Sequence, residues 1–187
     1  PAIELVEKYG SDPLRFHLIN NGPEKKDSNF TIEALIATNN GELLNKFGNL
    51  VNRTLKFKEL EEIPEGVLDE GIKKKIEETY RQVGENIEKL EFKAATDIAM
   101  QLVETANKYY DDQKPWNQKK ESINDFNNTI YTCCVIIANL ANIFEPFMPN
   151  ACKKIRNFLN IKEKSWNLIE PEKGLKLENI EPLFTRM

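Results

Sequence analysis

Apolar residues recur along most of this 187-residue chain at intervals of three and four, the spacing of a helix buried along one side, with no strand pattern of any strength between them. Ala2 to Tyr9 reads as a short amphipathic helix stopped at Gly10. Asp12, followed by Pro13 at the first helical position, reads as the N-cap of a second helix running to about Asn20. Gly22-Pro23 and the polar run to Asn29 form a loop. Thr31 caps a third helix with Ile32, Leu35 and Ile36 turned inward, and the turn-prone Asn39-Asn40-Gly41 either breaks it or bends it. A helix from Glu42 to about Leu60 follows, closed by Ile63-Pro64-Glu65-Gly66.

From Asp69 to Leu90 a narrow stripe of Ile72, Ile76, Tyr80, Val83 and Ile87 among many charges predicts a surface helix. Phe92 to Tyr110 buries Phe92, Ala95, Ile98, Ala99, Leu102, Val103, Ala106 and Tyr110, and Pro115 ends it, because proline disfavours helical geometry in the residue before it. Asn124 to Glu145 is the most apolar stretch and is expected at the centre. Pro146 and Pro149 bracket a break before a last helix, Asn150 to Leu159. The tail beyond it carries Trp166, Ile169, Leu175, Leu177, Ile180, Leu183 and Phe184, too apolar a set to stay in water. The fold class is all-α: an antiparallel helix bundle with a short helical segment at its N-terminus and a folded-back C-terminal tail.

Composition narrows the chemistry. With 40% hydrophobic and 30% charged residues this is an ordinary globular chain, and no apolar run approaches the roughly 20 residues of a membrane span. No signal peptide opens it, and the absence of a starting Met suggests a fragment or a processed chain. Cys133, Cys134 and Cys152 are odd in number and lack a CxxC, which argues against a disulfide framework or zinc and for small buried hydrophobes in a reducing, cytoplasmic compartment. The single His17, among apolar neighbours, leaves zinc, di-iron and Ser-His-Asp catalysis without their ligands. No catalytic residue and no metal site are assigned.

One stretch stands out against the net charge of −4: Asn45 to Lys58 carries Lys46, Arg53, Lys56 and Lys58 and no acid. At roughly 100° per residue, Leu43, Leu44, Phe47, Leu50, Val51, Thr54 and Leu55 share one side and Asn45, Asn49, Asn52, Arg53 and Lys56 the other. Asn49 and Arg53, four apart, project side by side, and their planar amide and guanidinium suit base edges. The same pattern also describes a solvated polar face, and Gly48, at the flank, serves either helix packing or the close approach of a ligand. A second element is Lys114-Pro115-Trp116-Asn117-Gln118-Lys119-Lys120, whose tryptophan lies outside any apolar period. It is either a cap on the bundle end or a platform for a base, with lysines beside it for phosphate.

Several separated motifs carry a resemblance. Glu7 to Phe16 (EKYGSDPLRF) is similar to the EKYGADALRY segment after the KMSKS loop of methionyl-tRNA synthetases, and Gly48 to Arg53 (GNLVNR) resembles the motif of their anticodon-domain helix. Ala106-Asn107-Lys108-Tyr109 with Lys114-Pro115-Trp116 resembles their ANxY…PW pattern, Pro146 to Pro149 their PFMP, and Pro182-Leu183-Phe184 their closing PLFPRI. Five motifs in order span essentially the whole chain; Pro13 and Thr185 depart from the usual alanine and proline.

The resemblance implies a linker segment over residues 1–38 that contacts the inner side of a tRNA, then an anticodon-binding bundle over 39–187. It implies that Asn49, Arg53 and Trp116 read a CAU anticodon, with Pro115 setting the angle of the ring. The helical face adds Asn45, Lys46, Asn52 and Lys56, and the second element adds Lys119, as further RNA contacts. Expected partners are tRNA(Met), initiator tRNA and an N-terminal catalytic domain, and no membrane. The HIGH signature needs two histidines, and none of Met100, Met148 and Met187 has KMSKS flanks. The chain is therefore expected to bind tRNA without aminoacylating it, and to hold no cofactor, ATP and methionine belonging to the catalytic domain. Two rivals stand beside this reading: the equivalent domain of a cysteinyl or valyl synthetase, and a helical protein-interaction module with Trp116 as its hot spot.

Overall fold

The computed structural model describes residues 2–22 and 29–187, so the loop predicted from Gly22 to Asn29 lies, but for its two ends, outside the described residues. Among the described residues nine α-helices follow in order: α1 (Ala2–Tyr9), α2 (Ser11–Asn21), α3 (Ile32–Thr38), α4 (Asn49–Leu55), α5 (Glu70–Glu88), α6 (Phe92–Gln113), α7 (Pro115–Glu121), α8 (Ile123–Ile143) and α9 (Pro149–Phe158). Between α3 and α4 the helical backbone does not break. Asn39–Gly48 continues as a π-helix, whose wider turns carry the rod through Asn39-Asn40-Gly41. Among the described residues the one β-contact is an isolated antiparallel bridge between Glu62 and Lys176.

The centre is α8. Every residue from Thr129 to Phe144 is buried, so this helix is surrounded on all sides, as its long and mostly apolar sequence requires. Phe144 stacks on Phe47, ring centroids 5.0 Å apart, and Phe47 in turn meets Phe184 of the tail at 5.9 Å. Each such fully buried side chain contributes about 1.5–3 kcal/mol relative to exposure.

Two buried amides in α8 explain why the tail lies where it does. Asn139 donates to the Ile169 carbonyl (2.8 Å) and accepts from the Ile169 amide (2.9 Å), treating the passing backbone as a neighbouring strand would. Asn142 accepts from the Ser165 amide, and the Tyr80 hydroxyl bridges the two asparagines. At its far end the tail is held by the start of the π segment: Asn39 donates to the Thr185 carbonyl, and Asn40 both donates to the Met187 carbonyl and accepts from its amide.

Several expectations need correction. Asp12 does not cap α2, which begins at Ser11 after Gly10 (φ 83°). Its carboxylate instead accepts from the Asn150 and Ala151 amides at 3.3 and 2.7 Å, capping α9 and fastening the N-terminal segment to the bundle. Burial raises its pKa against the pull of those two bonds. Ile32 is exposed while Leu35 is buried, since α3 is covered on one side only. The helix carrying the basic stretch ends at Leu55, not near Leu60, because Lys56 leaves helical geometry (φ −110°, ψ 25°) and Glu59 takes a left-handed one (φ 66°).

The rest follows the apolar spacing. Ile72, Ile76, Tyr80 and Val83 are buried along α5, whose N-cap Asp69 accepts from the Ile72 amide. The three cysteines are free and buried, with Cys133 pushed up to about 12 by desolvation. No helix among the described residues is long and apolar enough to cross a membrane, and no three His, Cys, Asp or Glu side chains among them are grouped to hold a metal.

Candidate nucleic-acid interface

The π segment and α4 bury Leu43, Phe47, Leu50, Val51, Thr54 and Leu55, as the helical layout requires, and leave Asn45, Asn49, Asn52 and Lys56 exposed. Gly48 is buried because the tail closes over it: a Cβ there would stand 3.3 Å from the Leu43 carbonyl oxygen and 3.6 Å from the Phe184 ring. The close approach anticipated at this glycine is therefore made by the chain itself. Between the row of asparagines and the tail runs a groove of about 540 Å³, walled by Asn45, Asn49, Asn52, Pro182, Phe184 and Arg186 among others.

Arg53 does not project freely beside Asn49. It turns toward α6, where one guanidinium nitrogen meets the Asp111 carboxylate at 2.8 Å and the other donates to the Asn107 carbonyl at 2.7 Å. The plane rests on the Tyr110 ring, Cζ to centroid 3.9 Å, and the Tyr110 hydroxyl donates back to the Arg53 carbonyl. Burial raises the Tyr110 hydroxyl to about 12, so it remains a donor. Asn107 completes the seam by donating to the Lys46 carbonyl. Three residues of α6, none assigned to the site from sequence, thus fix the arginine.

Tyr110 is also where the second element arrives. Lys114 takes a left-handed conformation (φ 53°, ψ 62°) that ends α6 and starts α7, and Pro115 occupies the first position of α7, buried. That corner brings the Trp116 ring to 6.1 Å from the Tyr110 ring, tilted by 44°, with 45% of the residue exposed. Arg53, Tyr110 and Trp116 form one ladder, with the buried tyrosine joining a half-covered guanidinium to a half-open indole. The two basic elements singled out in the sequence meet, as an antiparallel arrangement allows.

Two of the remaining lysines, Lys46 and Lys119, are engaged. Lys46 lies between Glu42 (3.0 Å) and Glu104 (2.7 Å), whose hydrogen bonds raise its pKa. Lys119 reaches across to the Lys58 carbonyl (2.7 Å) and Glu59 (3.0 Å) over the Phe57 ring, tying α7 to the end of α4. Lys56 has no partner among the described residues. Sequence reasoning placed Tyr110 in the core, which is correct by burial, but missed that its ring meets both candidate residues. The adjacency of Asn107, Tyr110 and Asp111 at three- and four-residue spacing, facing the basic helix, was the available signal.

Comparison with known proteins adds to this geometry. Residues 63–182 match the family described as the anticodon binding domain of methionyl tRNA ligase, and residues 2–55 match that of tRNA synthetases class I (M). Methionine–tRNA ligase 1 of Alkaliphilus oremlandii is 39% identical over 187 residues, covering 98% of this chain and 35% of that protein. A methionine–tRNA ligase of Bacillus anthracis is 40% identical over 189 residues, covering 98% and 34%. The chain spans about a third of the length of these relatives. In fold it is similar to the apo crystal structure of Mycobacterium tuberculosis methionyl-tRNA synthetase, with a TM-score of 0.88 at 24% identity over 100% of this chain and 41% of that one. An all-α bundle that matches one family over most of its length leaves a single assignment: the chain belongs to the anticodon-binding domains of methionyl-tRNA ligases.

Proposed function

We propose that this chain is the tRNA-recognising part of a methionine–tRNA ligase, and that it selects tRNA(Met) and initiator tRNA by their CAU anticodon. Residues 1–38 would act as the linker toward a catalytic domain that binds ATP and methionine, and residues 39–187 as the reading head. The observation that carries the reading is the ladder of Arg53, Tyr110 and Trp116 beside an exposed row of asparagines.

Single-stranded loops are read by splaying bases onto aromatic planes and bonding their exposed edges. The open side of Trp116 offers such a plane, a contact of about 1–3 kcal/mol per base. Asn49, flanked by Asn45 and Asn52, offers paired donors and acceptors along the groove. Arg53 already rests over a ring, so a base edge that takes its Asp111-facing nitrogen replaces an ion pair whose carboxylate is 60% exposed and worth only about 0–1 kcal/mol. The exchange needs little reorganisation, since Asn107 and Tyr110 keep the plane in place.

Binding of a CAU-loop RNA hairpin and of a scrambled-loop control, each at two salt concentrations, tests the reading. The CAU loop is expected to bind more tightly, and Trp116→Ala or Arg53→Ala to remove most of that preference while the helical content is kept. Equal affinity for both hairpins, or variants that bind like the parent, would refute it.

A further inference from the structure

A second feature of the surface has no part in that ladder. A groove of about 540 Å³ is walled by Lys153, Arg156, Asn157, Asn160, Ile161, Lys162 and Lys164: four cations, two amides and no acid, on a chain of net charge −4. Its floor is built rather than incidental. Arg156 is 8% exposed and bonds Glu145 at 2.7 Å and the Ala141 carbonyl at 3.4 Å, while Lys164 takes the other oxygen of Glu145 at 2.7 Å. Asn160, left-handed at φ 52°, turns the chain out of α9 and brings Lys162 and Lys164 back along the groove. Glu145 is thereby shared between two cations, and Lys153 and Lys162 have no ion-pair partner among the described residues. Two exposed ammonium groups over a floor that keeps one net positive charge attract an anion of extended shape.

The position says which one. The groove lies where Ala141 and Glu145 end α8, whereas α7 with Trp116 precedes its start. The ladder lies halfway along α8, where Arg53 and Tyr110 sit beside Cys133, so at 1.5 Å per residue the groove is about 12–18 Å further along the helix axis. A base-paired stem leaving the anticodon loop presents phosphates at that range and no base edge that lysine needs to read. We infer that this groove is a second RNA contact, in which Lys153 and Lys162 hold phosphodiester groups of the stem. The inference rests on the proposed reading for its ligand, but not on how the loop is read.

Counterion release gives it a measurable form: each phosphate neutralised contributes about 0.9 to the slope of log affinity against log salt. A full-length tRNA transcript with a CAU loop and one with a scrambled loop would be titrated against the parent, Lys153→Gln/Lys162→Gln, Lys153→Arg/Lys162→Arg and Trp116→Ala. Between about 50 and 200 mM salt the parent should lose about tenfold more affinity than the glutamine pair, equally for both transcripts. The arginine pair should match the parent, and melting midpoints should coincide. A parental slope in the glutamine pair, or an arginine pair as weak as the glutamine one, would overturn the groove while leaving any Trp116-dependent loop preference intact. A reduced slope with no loop preference in the parent would keep the groove and sink the decoding role. No binding of either transcript would sink both.

Discussion

Replacing Arg53 by lysine keeps the charge and removes the plane, which separates what the guanidinium does as a cation from what it does as a shape. The arginine makes three contacts at once: Asp111 at 2.8 Å, the Asn107 carbonyl at 2.7 Å and the Tyr110 face at 3.9 Å. An ammonium on a flexible stem can reach one of the two oxygens and cannot lie flat. The charged hydrogen bond to a carbonyl is worth about 1.5–3 kcal/mol, part of which lysine recovers. The contact with the ring adds about 0.5–1 kcal/mol, and the exposed pair with Asp111 about 0–1 kcal/mol. A net loss of about 1–2 kcal/mol follows, lowering the melting midpoint by roughly 2–8 °C for a chain of this size.

The effect on RNA should be larger than the effect on folding. A planar pair of donors on a base edge discriminates by about 1–3 kcal/mol, and a point charge does not replace it. The ratio of affinities for CAU and scrambled hairpins should therefore fall about 5- to 150-fold, at 1.4 kcal/mol per decade. Affinity for the scrambled loop should hold, because the charge is unchanged. Fluorescence anisotropy with both hairpins, paired with thermal melts, reads the two effects separately. A lysine variant that keeps the parental ratio would show that the arginine acts as a charge alone, and the argument from planarity would fail.

Three further outcomes follow from the packing. Gly66→Ala should destabilise by about 1–3 kcal/mol in urea unfolding, because a Cβ there would stand 2.3 Å from the Asn127 carbonyl oxygen and 2.6 Å from Tyr131 Cβ. Asp12→Asn should be tolerated better than Asp12→Ala, since the amide oxygen still accepts from the α9 amides, whereas loss of the cap takes about 1 kcal/mol. The folded pKa of Asp12 is raised above 3.8, so the stability it contributes is full below that pH and is lost as pH rises through the folded value. The asparagine variant should therefore gain on the parent as pH climbs above about 4, read by denaturant midpoints across an acid series. Cys133, Cys134 and Cys152 should resist a thiol reagent in the native state and all react in denaturant, because each is buried and its thiol is held above the usual range.

Burial was the legible part of this chain, because a side chain that avoids water imposes the helical period on the sequence whatever surrounds it. Ile72, Ile76, Tyr80 and Val83, or the run through α8, could be assigned with no knowledge of their neighbours. Polar side chains carry no such direction. Asn139 and Asn142 interrupt the apolar run of α8 at three-residue spacing, and each has to satisfy its amide in the interior; that was a sign that an irregular segment would pass there, but not which one. Asp12 reads as a local cap because the dipeptide with Pro13 fits one, yet the helix end it serves is more than a hundred residues away. Arg53 failed for a related reason. A helical layout gives its angle on its own helix, but not that α6 covers that flank, and the π segment inserts wider turns that the assumed 100° step omits. The candidate residues could be chosen from the sequence because asparagine, arginine and tryptophan suit bases by their chemistry alone. Its construction around Tyr110 depends on two helices meeting, which is a property of the bundle and not of either stretch.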